Sequence, residues 1–169
     1  KIDTGMHRLG FLPEDIPEMI QLLRSQKGLK VRSVFSHLSA SESWAFDEFT
    51  HQQIDTFNRL ADDIEQGLGS SVYRHILNSA GIERFIDNQH DMVRLGIGLY
   101  GISASGLTGL RNVCTLKTTI LQIKPVPSNQ TVGYGRKEIL SSDARIATIR
   151  FGYADGLNRQ FGNRKGKGP

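Results

Sequence analysis

KIDTGMHRLG, residues 1–10, is the stretch that decides the fold, and it stands at the start of the chain. Lys1 and Arg8 are separated by a stretch that contains Asp-Thr-Gly-Met, which is typical of a strand running into a Gly-bounded loop. The planar guanidinium of an arginine suits a carboxylate, so this loop is a candidate binding element. Because a functional element stands at the first residue, we expect the chain to be the middle of a larger enzyme.

Two hydrophobic periodicities alternate over the first hundred residues. Helical spacing predicts helices over residues 13–27 and 43–68, and alternation predicts strands over 2–6, 31–35, 72–77 and 92–95. Strands and helices in this order predict parallel βα units, whose chemistry collects where the strands end. Polar residues stand where these strands end or the next loop begins, namely His37, Asn78, Ser79 and Arg94.

The pattern changes after residue 105. Residues 113–126 and 144–151 are rich in Thr, Ile and Val, and no helical spacing separates them. We therefore predict an α/β chain in which residues 1–105 form the C-terminal half of a (β/α)8 TIM-like barrel. Residues 106–169 are predicted to be the start of an all-β domain. About four βα units cannot close an eight-stranded barrel, so we expect the other half to lie outside this chain.

Composition excludes several classes of protein. The chain is 38% hydrophobic and 22% charged, which is typical of a soluble globular protein. No apolar run reaches about 18 residues, so we expect no membrane partner. The single cysteine, Cys114, cannot form an internal disulfide, which favours a cytoplasmic location. The net charge of +4 comes largely from residues 164–167, which lack interleaved aromatics, so we expect no nucleic-acid partner.

Residues 96–101 spell G-x-G-x-x-G. A dinucleotide fingerprint needs a helix directly after this motif, and residues 102–106 do not predict one. We instead interpret Gly96 as a strand-end glycine whose backbone N–H groups receive a phosphate, helped by Ser79. The five histidines show no metal-ligand spacing, so we expect no metal site.

Two tyrosines in the β region stand beside turn residues. Tyr134 lies between Gly133 and Gly135, which allow a tight turn that leaves the ring accessible. Tyr153 precedes the turn signal Asp155-Gly156.

Together these segments resemble the alanine racemase family, pyridoxal phosphate enzymes that join a (β/α)8 barrel to a C-terminal β domain. The resemblance implies interconversion of L- and D-alanine for peptidoglycan synthesis by a cytoplasmic homodimer with shared active sites. Residues 43–57 are similar to family members fused behind a Mur-ligase-like module. The matching strings, which occur in the family's order over nearly the whole chain, are KIDTGMHRLGF, SHLSAS, NSAG, MVRLGIGLYG, VGYG and FGYADGLNRQF.

The resemblance also implies residue roles. Lys1 matches a lysine that is often carbamylated, and the anionic carbamate would hold the Arg8 side chain in position. Arg8 matches the arginine that binds the substrate carboxylate. Arg94 matches the arginine that faces the pyridine nitrogen, and His37 matches the histidine that links this arginine to the catalytic tyrosine. Contact with the cofactor phosphate is implied for Ser79, Gly96 and Ile97, with Asn78 beside them. Tyr134 matches the tyrosine that transfers a proton at the α-carbon. The residues implied to line the substrate entry path are Tyr153 and Arg159.

Some family features have no counterpart in this sequence. The Schiff-base lysine, which is the family's second base, has no candidate here, so we expect the chain by itself not to racemise alanine. Two alternatives stay open: another pyridoxal phosphate barrel enzyme, either an amino-acid racemase or a decarboxylase, and a non-catalytic cofactor-binding or scaffold module. Tyr134 argues against the decarboxylases, and the predicted β domain argues against the scaffold module.

Overall fold

The computed structural model of this chain describes residues 1–106, 109–158 and 160. The chain forms two compact units, of which the first is Lys1–Cys114 and the second begins at Thr115. The domain boundary predicted between residues 105 and 106 stays a prediction.

The first unit contains parallel β-strands joined through helices, as the sequence predicted. Strand β1 (Ser33–Phe35) pairs in parallel with β2 (Tyr73–His75). Helix α2 (Asp47–Leu68) connects the two strands, helix α1 (Ile16–Ser25) precedes β1, and the short α3 (Ser79–Arg84) follows β2. This order places the loops after β1 and β2 at the same edge of the strand pair.

Helix α2 forms because its apolar residues recur every three or four positions and pack into the core of the first unit. The helix ends at Leu68 and is capped by Gly69, whose left-handed φ of 66° closes the last turn. It begins at Asp47, four residues later than predicted, because a 3₁₀ turn occupies Trp44–Phe46. No helix among the described residues is both long and apolar enough to cross a membrane. The buried apolar residues of α2 are Ile54, Phe57, Leu60, Ala61 and Ile64.

Two predicted strands of the first unit do not form as such. The strand predicted over residues 2–6 is reduced to a single bridge between Ile2 and Phe11, because the chain turns sharply after Asp3. The segment predicted as a strand over residues 92–95 lies beside β2, and the Arg94 N–H donates to the Leu77 carbonyl over 3.0 Å. It does not build a ladder and is irregular in conformation.

The second unit contains two antiparallel strand pairs. Strand β3 (Ile120–Val126) pairs with β6 (Ala144–Ile149), and β4 (Thr131–Val132) pairs with β5 (Glu138–Ile139). The strand predicted over 113–126 therefore begins only at Ile120. Among the described residues after Cys114, the only helical elements are short 3₁₀ turns, which agrees with the prediction of an all-β region.

Candidate active site

One cavity of the first unit, of about 490 Å³, collects polar residues from several loops. These loops follow β1, β2 and the irregular segment at 92–95, so residues far apart in sequence meet at one edge of the strand pair, as predicted. Every residue that the sequence analysis assigned to the cofactor lies in the wall. The lining residues are His37, Glu42, Asn78, Ser79, Ala80, Arg94, Leu95, Gly96, Ile97 and Ala104.

Arg94 is fixed by hydrogen bonds to backbone carbonyls and histidine rings. Its Nη2 donates to the carbonyl oxygens of Ser36 at 2.6 Å and Ile76 at 3.1 Å. The same nitrogen lies 3.0 Å from His37 Nδ1, and Nη1 lies 2.6 Å from His75 Nδ1. Burial lowers the pKa of Arg94, but a guanidinium remains protonated in proteins. The wall of the cavity therefore carries a fixed positive charge.

These contacts assign the protonation state of His37. A guanidinium can only donate, so His37 Nδ1 must accept, and the proton of the neutral ring is assigned to Nε2. Burial is the main cause that lowers the pKa of His37, followed by the charges of Arg94, Arg8 and Lys1. At neutral pH the ring is a neutral N–H donor through Nε2.

His75 is a site residue that the sequence analysis missed. Its ring stacks on Phe35, with the centroids 5.0 Å apart and the planes 3° from parallel. Burial first and then the charge of Arg94 lower the pKa of His75. Its position at the end of β2 was the available signal, because the rule that singled out His37 applies equally to a histidine that ends the neighbouring strand.

Ser79 joins the loop after β2 to the glycine-rich segment. Its Oγ accepts hydrogen bonds from the N–H groups of Gly96 at 2.9 Å and Gly98 at 3.2 Å. The N–H of Gly96, which was expected to receive a phosphate, therefore has a protein partner. The hydroxyl hydrogen of Ser79 remains a donor beside these backbone groups.

Asn78 has a structural role that the sequence analysis did not foresee. Its Oδ1 caps α3 by accepting from the Gly81 N–H at 2.9 Å and also accepts from Ser41 Oγ at 2.8 Å. Its Nδ2 donates to the Leu38 carbonyl at 3.3 Å. The side chain thus sets the position of Ser79, the first residue of α3.

The G-x-G-x-x-G string is not a dinucleotide fingerprint. Residues Ile97–Tyr100 form a 3₁₀ turn, and the described residues 102–106 contain no helix, as predicted. Gly101 has a left-handed φ of 78°, and a Cβ there would lie 1.9 Å from the carbonyl oxygen of Arg111. This glycine is therefore required by close packing of the backbone.

Glu83 is a second residue that sequence reasoning missed. Its carboxylate accepts from Ser103 Oγ at 2.7 Å, from the Ser105 hydroxyl, and from the N–H groups of Ala104 and Ser105, both at 3.3 Å. Burial alone would raise the pKa of Glu83, but the hydrogen bonds from Ser105 and Ser103 outweigh it and lower the pKa. Glu83 thereby holds Ala104 in the cavity wall.

The loop that carries Arg8 is folded around Asp3. The buried Asp3 Oδ1 accepts from the N–H groups of Gly5 at 3.0 Å, Met6 at 3.0 Å and His7 at 3.1 Å. Burial alone would raise the pKa of Asp3, but these bonds lower it. The Arg8 side chain at the tip is exposed, and no hydrogen bond or ion pair joins it to another described residue.

Lys1 contacts a backbone group of the same loop. Its Nζ donates to the carbonyl oxygen of Leu9. Carbamylation of Lys1, and the grip of a carbamate on Arg8, stay predictions.

The tyrosines of the second unit lie in glycine-bounded turns, as predicted. Tyr134 begins the 3₁₀ turn Tyr134–Arg136, between Gly133 and Gly135 with φ angles of 84° and 73°, and its side chain is fully exposed. Tyr153 begins the turn Tyr153–Asp155 and is 68% exposed. Arg159, assigned to the substrate entry path, lies outside the described residues.

The cavity combines groups suited to one kind of ligand. Arg94 and the neutral His37 imidazole suit hydrogen-bond acceptors on a planar ring, and the hydroxyl hydrogen of Ser79 suits a phosphate oxygen. Within the described ranges, no three His, Cys, Asp or Glu side chains are grouped so that they could hold a metal ion.

Comparison with known proteins agrees with this geometry. Residues 1–104 match the family model of the alanine racemase N-terminal domain, and residues 113–168 match that of the C-terminal domain. The alanine racemase of Helicobacter acinonychis is 39% identical over 97% of this chain and 46% of the relative. That of Fusobacterium nucleatum is 39% identical over 94% of this chain and 44% of the relative. The chain thus spans just under half the length of these curated relatives.

Solved structures give the same relationship. The biosynthetic alanine racemase of Pseudomonas aeruginosa is similar with a TM-score of 0.79 at 33% identity, over 93% of this chain and 43% of that one. The alanine racemase of Bartonella henselae with covalently bound pyridoxal phosphate is similar with a TM-score of 0.76 at 28% identity. That match covers 94% of this chain and 43% of the other.

Proposed function

This chain belongs to the alanine racemase family, and from that premise we propose that it works in a pyridoxal phosphate-dependent enzyme that interconverts L- and D-alanine. It would contribute the second half of a (β/α)8 barrel and the beginning of a C-terminal β domain. The observation that carries the proposal is the cavity of the first unit, because six residues named from sequence motifs line it together. They are His37, Asn78, Ser79, Arg94, Gly96 and Ile97.

The two kinds of polar group in the cavity support the choice of cofactor. Arg94 is held by the carbonyls of Ser36 and Ile76 and is a permanent donor, so it would hold the pyridine nitrogen as an unprotonated acceptor. The hydroxyl hydrogen of Ser79 would hold the phosphate beside the backbone of Gly96 and Ile97, where the Gly96 N–H keeps Ser79 Oγ in place. Asn78, which lines the same cavity, would support this contact by capping α3.

Racemisation requires a proton to leave one face of the α-carbon and another to arrive on the opposite face. When bound, pyridoxal phosphate supplies the sink for the electron pair that is left on the α-carbon. We assign one of the two proton transfers to Tyr134. A phenol with a pKa of about 10 is a poor base at neutral pH unless a hydrogen-bond donor stabilises its anion. His37 would be this donor, because its Nδ1 accepts from Arg94 and its proton is therefore assigned to Nε2.

The remaining assignments are part of the same proposal. Arg8 would bind the substrate carboxylate, and Tyr153 and Arg159 would line the entry path. Lys1 would be carbamylated, and the active enzyme would be a cytoplasmic homodimer with shared active sites that supplies D-alanine for peptidoglycan. The second base would come from residues other than those of this chain.

The experiment that tests the proposal uses the intact racemase that contains this chain. The wild type is expected to racemise alanine and to retain pyridoxal phosphate absorbance after dialysis. Ser79→Ala is expected to weaken binding of pyridoxal phosphate by roughly tenfold, the loss of about one hydrogen bond to a charged group. It should leave the affinity for pyridoxal, which has no phosphate, nearly unchanged.

The matched control is Ser25→Ala, because the Ser25 hydroxyl bonds to the Leu22 carbonyl away from the cavity. It is expected to behave as the wild type. An intact protein that racemises no alanine would refute the proposed activity. If Ser79→Ala lowered the affinity for pyridoxal phosphate and for pyridoxal by the same factor, the phosphate assignment would be refuted.

A further inference from the structure

The apolar face of α2 contains one buried amide. Gln53 is 1% exposed and stands next to Ile54, in a row of residues that otherwise pack as the core. Burying an amide costs free energy unless its polar atoms find partners, and an apolar residue of similar size would pack there without that cost. The partners of Gln53 therefore indicate why an amide occupies this position.

All three hydrogen bonds of Gln53 go to loops at the edge of the cavity. Its Oε1 accepts from the Ser39 N–H at 2.9 Å. Its Nε2 donates to the His37 carbonyl and to Thr4 Oγ1, both at 3.3 Å. The Thr4 hydroxyl also lies 2.8 Å from Ser36 Oγ. One side chain thus ties the loop after β1 to the loop that carries Arg8.

The loop after β1 is held from two sides. From the cavity side, Arg94 Nη2 donates to the Ser36 carbonyl at 2.6 Å and lies 3.0 Å from the His37 ring. From the helix side, Gln53 bonds the backbone of His37 and Ser39. Two independent attachments over residues 36–39 fix both the position of the backbone and the direction of the imidazole.

We propose that Gln53 is a positioning residue, which fixes the His37 ring against Arg94 and aligns the Arg8 loop with it. This inference rests on the proposed racemase function for its kinetic consequences. An amide is required because it both donates and accepts, whereas a carboxylate cannot donate to the His37 carbonyl. Gln53 acts through its neighbours, since it does not line the cavity.

Removal of the amide has a specific consequence. In Gln53→Met the helix face remains apolar, but the Ser39 N–H and the His37 carbonyl lose a buried partner. The loop then shifts to regain hydrogen bonds, and the imidazole leaves its place against Arg94. We expect kcat/KM for alanine to fall roughly 10- to 100-fold, as for other small misplacements of a catalytic group. Binding of pyridoxal phosphate should change less than kcat/KM, because the bonds of Ser79 Oγ to Gly96 and Gly98 do not involve the loop after β1.

The matched control is Thr50→Val on the same helix. Thr50 is also fully buried, but its hydroxyl bonds only to the Phe46 carbonyl of the preceding turn. A loss of general helix stability would affect both variants, whereas a loss of positioning would affect Gln53→Met alone. Three readouts on the intact protein separate the two: kcat/KM, its pH profile, and the pKa of the His37 ring followed by NMR.

The expected result is a lower kcat/KM and an altered pH profile in Gln53→Met, with the His37 pKa rising toward the ordinary value of about 6.5 as burial is lost. Thr50→Val should match the wild type in all three readouts. If the enzyme racemises alanine and Gln53→Met matches Thr50→Val in kcat/KM, in pH profile and in the pKa of His37, the inference is overturned. If the wild type does not racemise, the proposed function fails, and the NMR comparison still decides the role of Gln53.

A second variant covers the case in which Gln53→Met does not fold. Thr4→Val removes the partner hydroxyl from the loop side, and Thr4→Ser retains it. We expect Thr4→Val to change kcat/KM in the same direction as Gln53→Met and Thr4→Ser to restore it. Identical kinetics of the two Thr4 variants would also overturn the inference.

Discussion

The two units of this chain hold their candidate site residues in opposite ways. In the first unit, Arg94 is fixed by three backbone carbonyls and two histidine rings, and Ser79 is fixed by the N–H groups of two glycines. In the second unit, Tyr134 has a fully exposed side chain on a turn between two left-handed glycines. The cavity is therefore set by side-chain contacts, and the tyrosine by backbone conformation.

The difference follows from where each unit buries its side chains. The hydrophobic core extends from Ile2 to Phe85, and no described residue after Phe85 is buried. A packed core fixes the positions of the polar groups that lie on it, because each group forms several hydrogen bonds to backbone that the core holds in place. Substitutions at site residues of the first unit should therefore change both stability and chemistry, and those at Tyr134 chemistry alone.

The largest expected effect is on catalysis, and it tests whether Tyr134 affects the chemistry without affecting stability. Tyr134→Phe in the intact racemase removes only a phenol, so racemisation should fall about 10²- to 10⁴-fold in both directions, the usual contribution of a general base. Exchange of the α-hydrogen with solvent deuterium should persist for the one enantiomer whose proton Tyr134 does not transfer. The unfolding midpoint and cofactor absorbance should not change.

The control for this variant is Tyr73→Phe, since Tyr73 is 59% exposed and lies in β2 away from the cavity. It should keep full activity. If Tyr134→Phe racemised alanine at the wild-type rate, Tyr134 would not be a proton-transfer residue. If its unfolding midpoint fell, the position of Tyr134 would also depend on packing.

The next effect compares an isoleucine from each unit. Ile54→Ala creates a cavity at a position that is 2% exposed and should cost about 2–5 kcal/mol of unfolding free energy. Ile123→Ala removes a side chain that is 45% exposed and should cost less than about 1 kcal/mol. Urea unfolding of the intact protein, followed by helical circular dichroism, measures both. Equal costs would contradict the contrast in burial.

A smaller effect is expected from exchanging arginine for lysine. Arg94→Lys cannot reach the carbonyls of Ser36 and Ile76 together, which should lower the unfolding free energy by about 1–3 kcal/mol. Arg136→Lys in the second unit loses only a 3.2 Å bond to Thr131 at the surface and should change it by less than about 0.5 kcal/mol. Thermal unfolding of both variants gives the comparison. An Arg94→Lys protein as stable as Arg136→Lys would mean that the carbonyl contacts do not fix the guanidinium.

The smallest effect concerns pH. The folded pKa values of His37, His75 and His90 are lowered by burial, so the unfolded chain takes up protons first as pH falls. Their contribution to stability is present above about pH 6.5, the unfolded value, and is lost as pH falls through the lower folded values. All five histidines lie in the first ninety residues, so only the first unit should weaken between about pH 7 and 5.

Hydrogen exchange measured peptide by peptide can follow both units in one sample. Peptides from α2 should lose protection over this pH interval, and peptides from β3 should not, after correction for the intrinsic exchange rate. The double variant His37→Asn and His75→Asn should reduce the loss in α2. An unchanged pH response in that variant would assign the effect to other groups.

Local patterns in the sequence predicted a large part of this structure. The spacing of apolar residues predicted α2 to its last residue, and the turn glycines around Tyr134 predicted an accessible ring. Strand ends pointed to His37 and Arg94, because parallel strands deliver their following loops to one edge. Each of these predictions depends on residues that are near one another in the chain.

Patterns of this kind failed where a side chain acts across the fold. Gln53 reads as a polar interruption of a helix face, and its three loop partners are visible only in three dimensions. Asn78 was predicted to lie at the cofactor beside Ser79 and it lines the cavity, but the fold also shows that its amide caps α3 and bonds Ser41. The strand expected over residues 92–95 is irregular, although its backbone still lies beside β2.

The sequence by itself determined the family, the order of helices and strands, and the residue types that chemistry on a phosphorylated aromatic cofactor needs. Only the tertiary structure decided which of those residues line one cavity and which hold their neighbours in place. The physical reason is that helix and strand periodicity is set by contacts within a few residues. The partners of a buried polar group, by contrast, are set by whichever distant loops the core brings within about 3 Å of it.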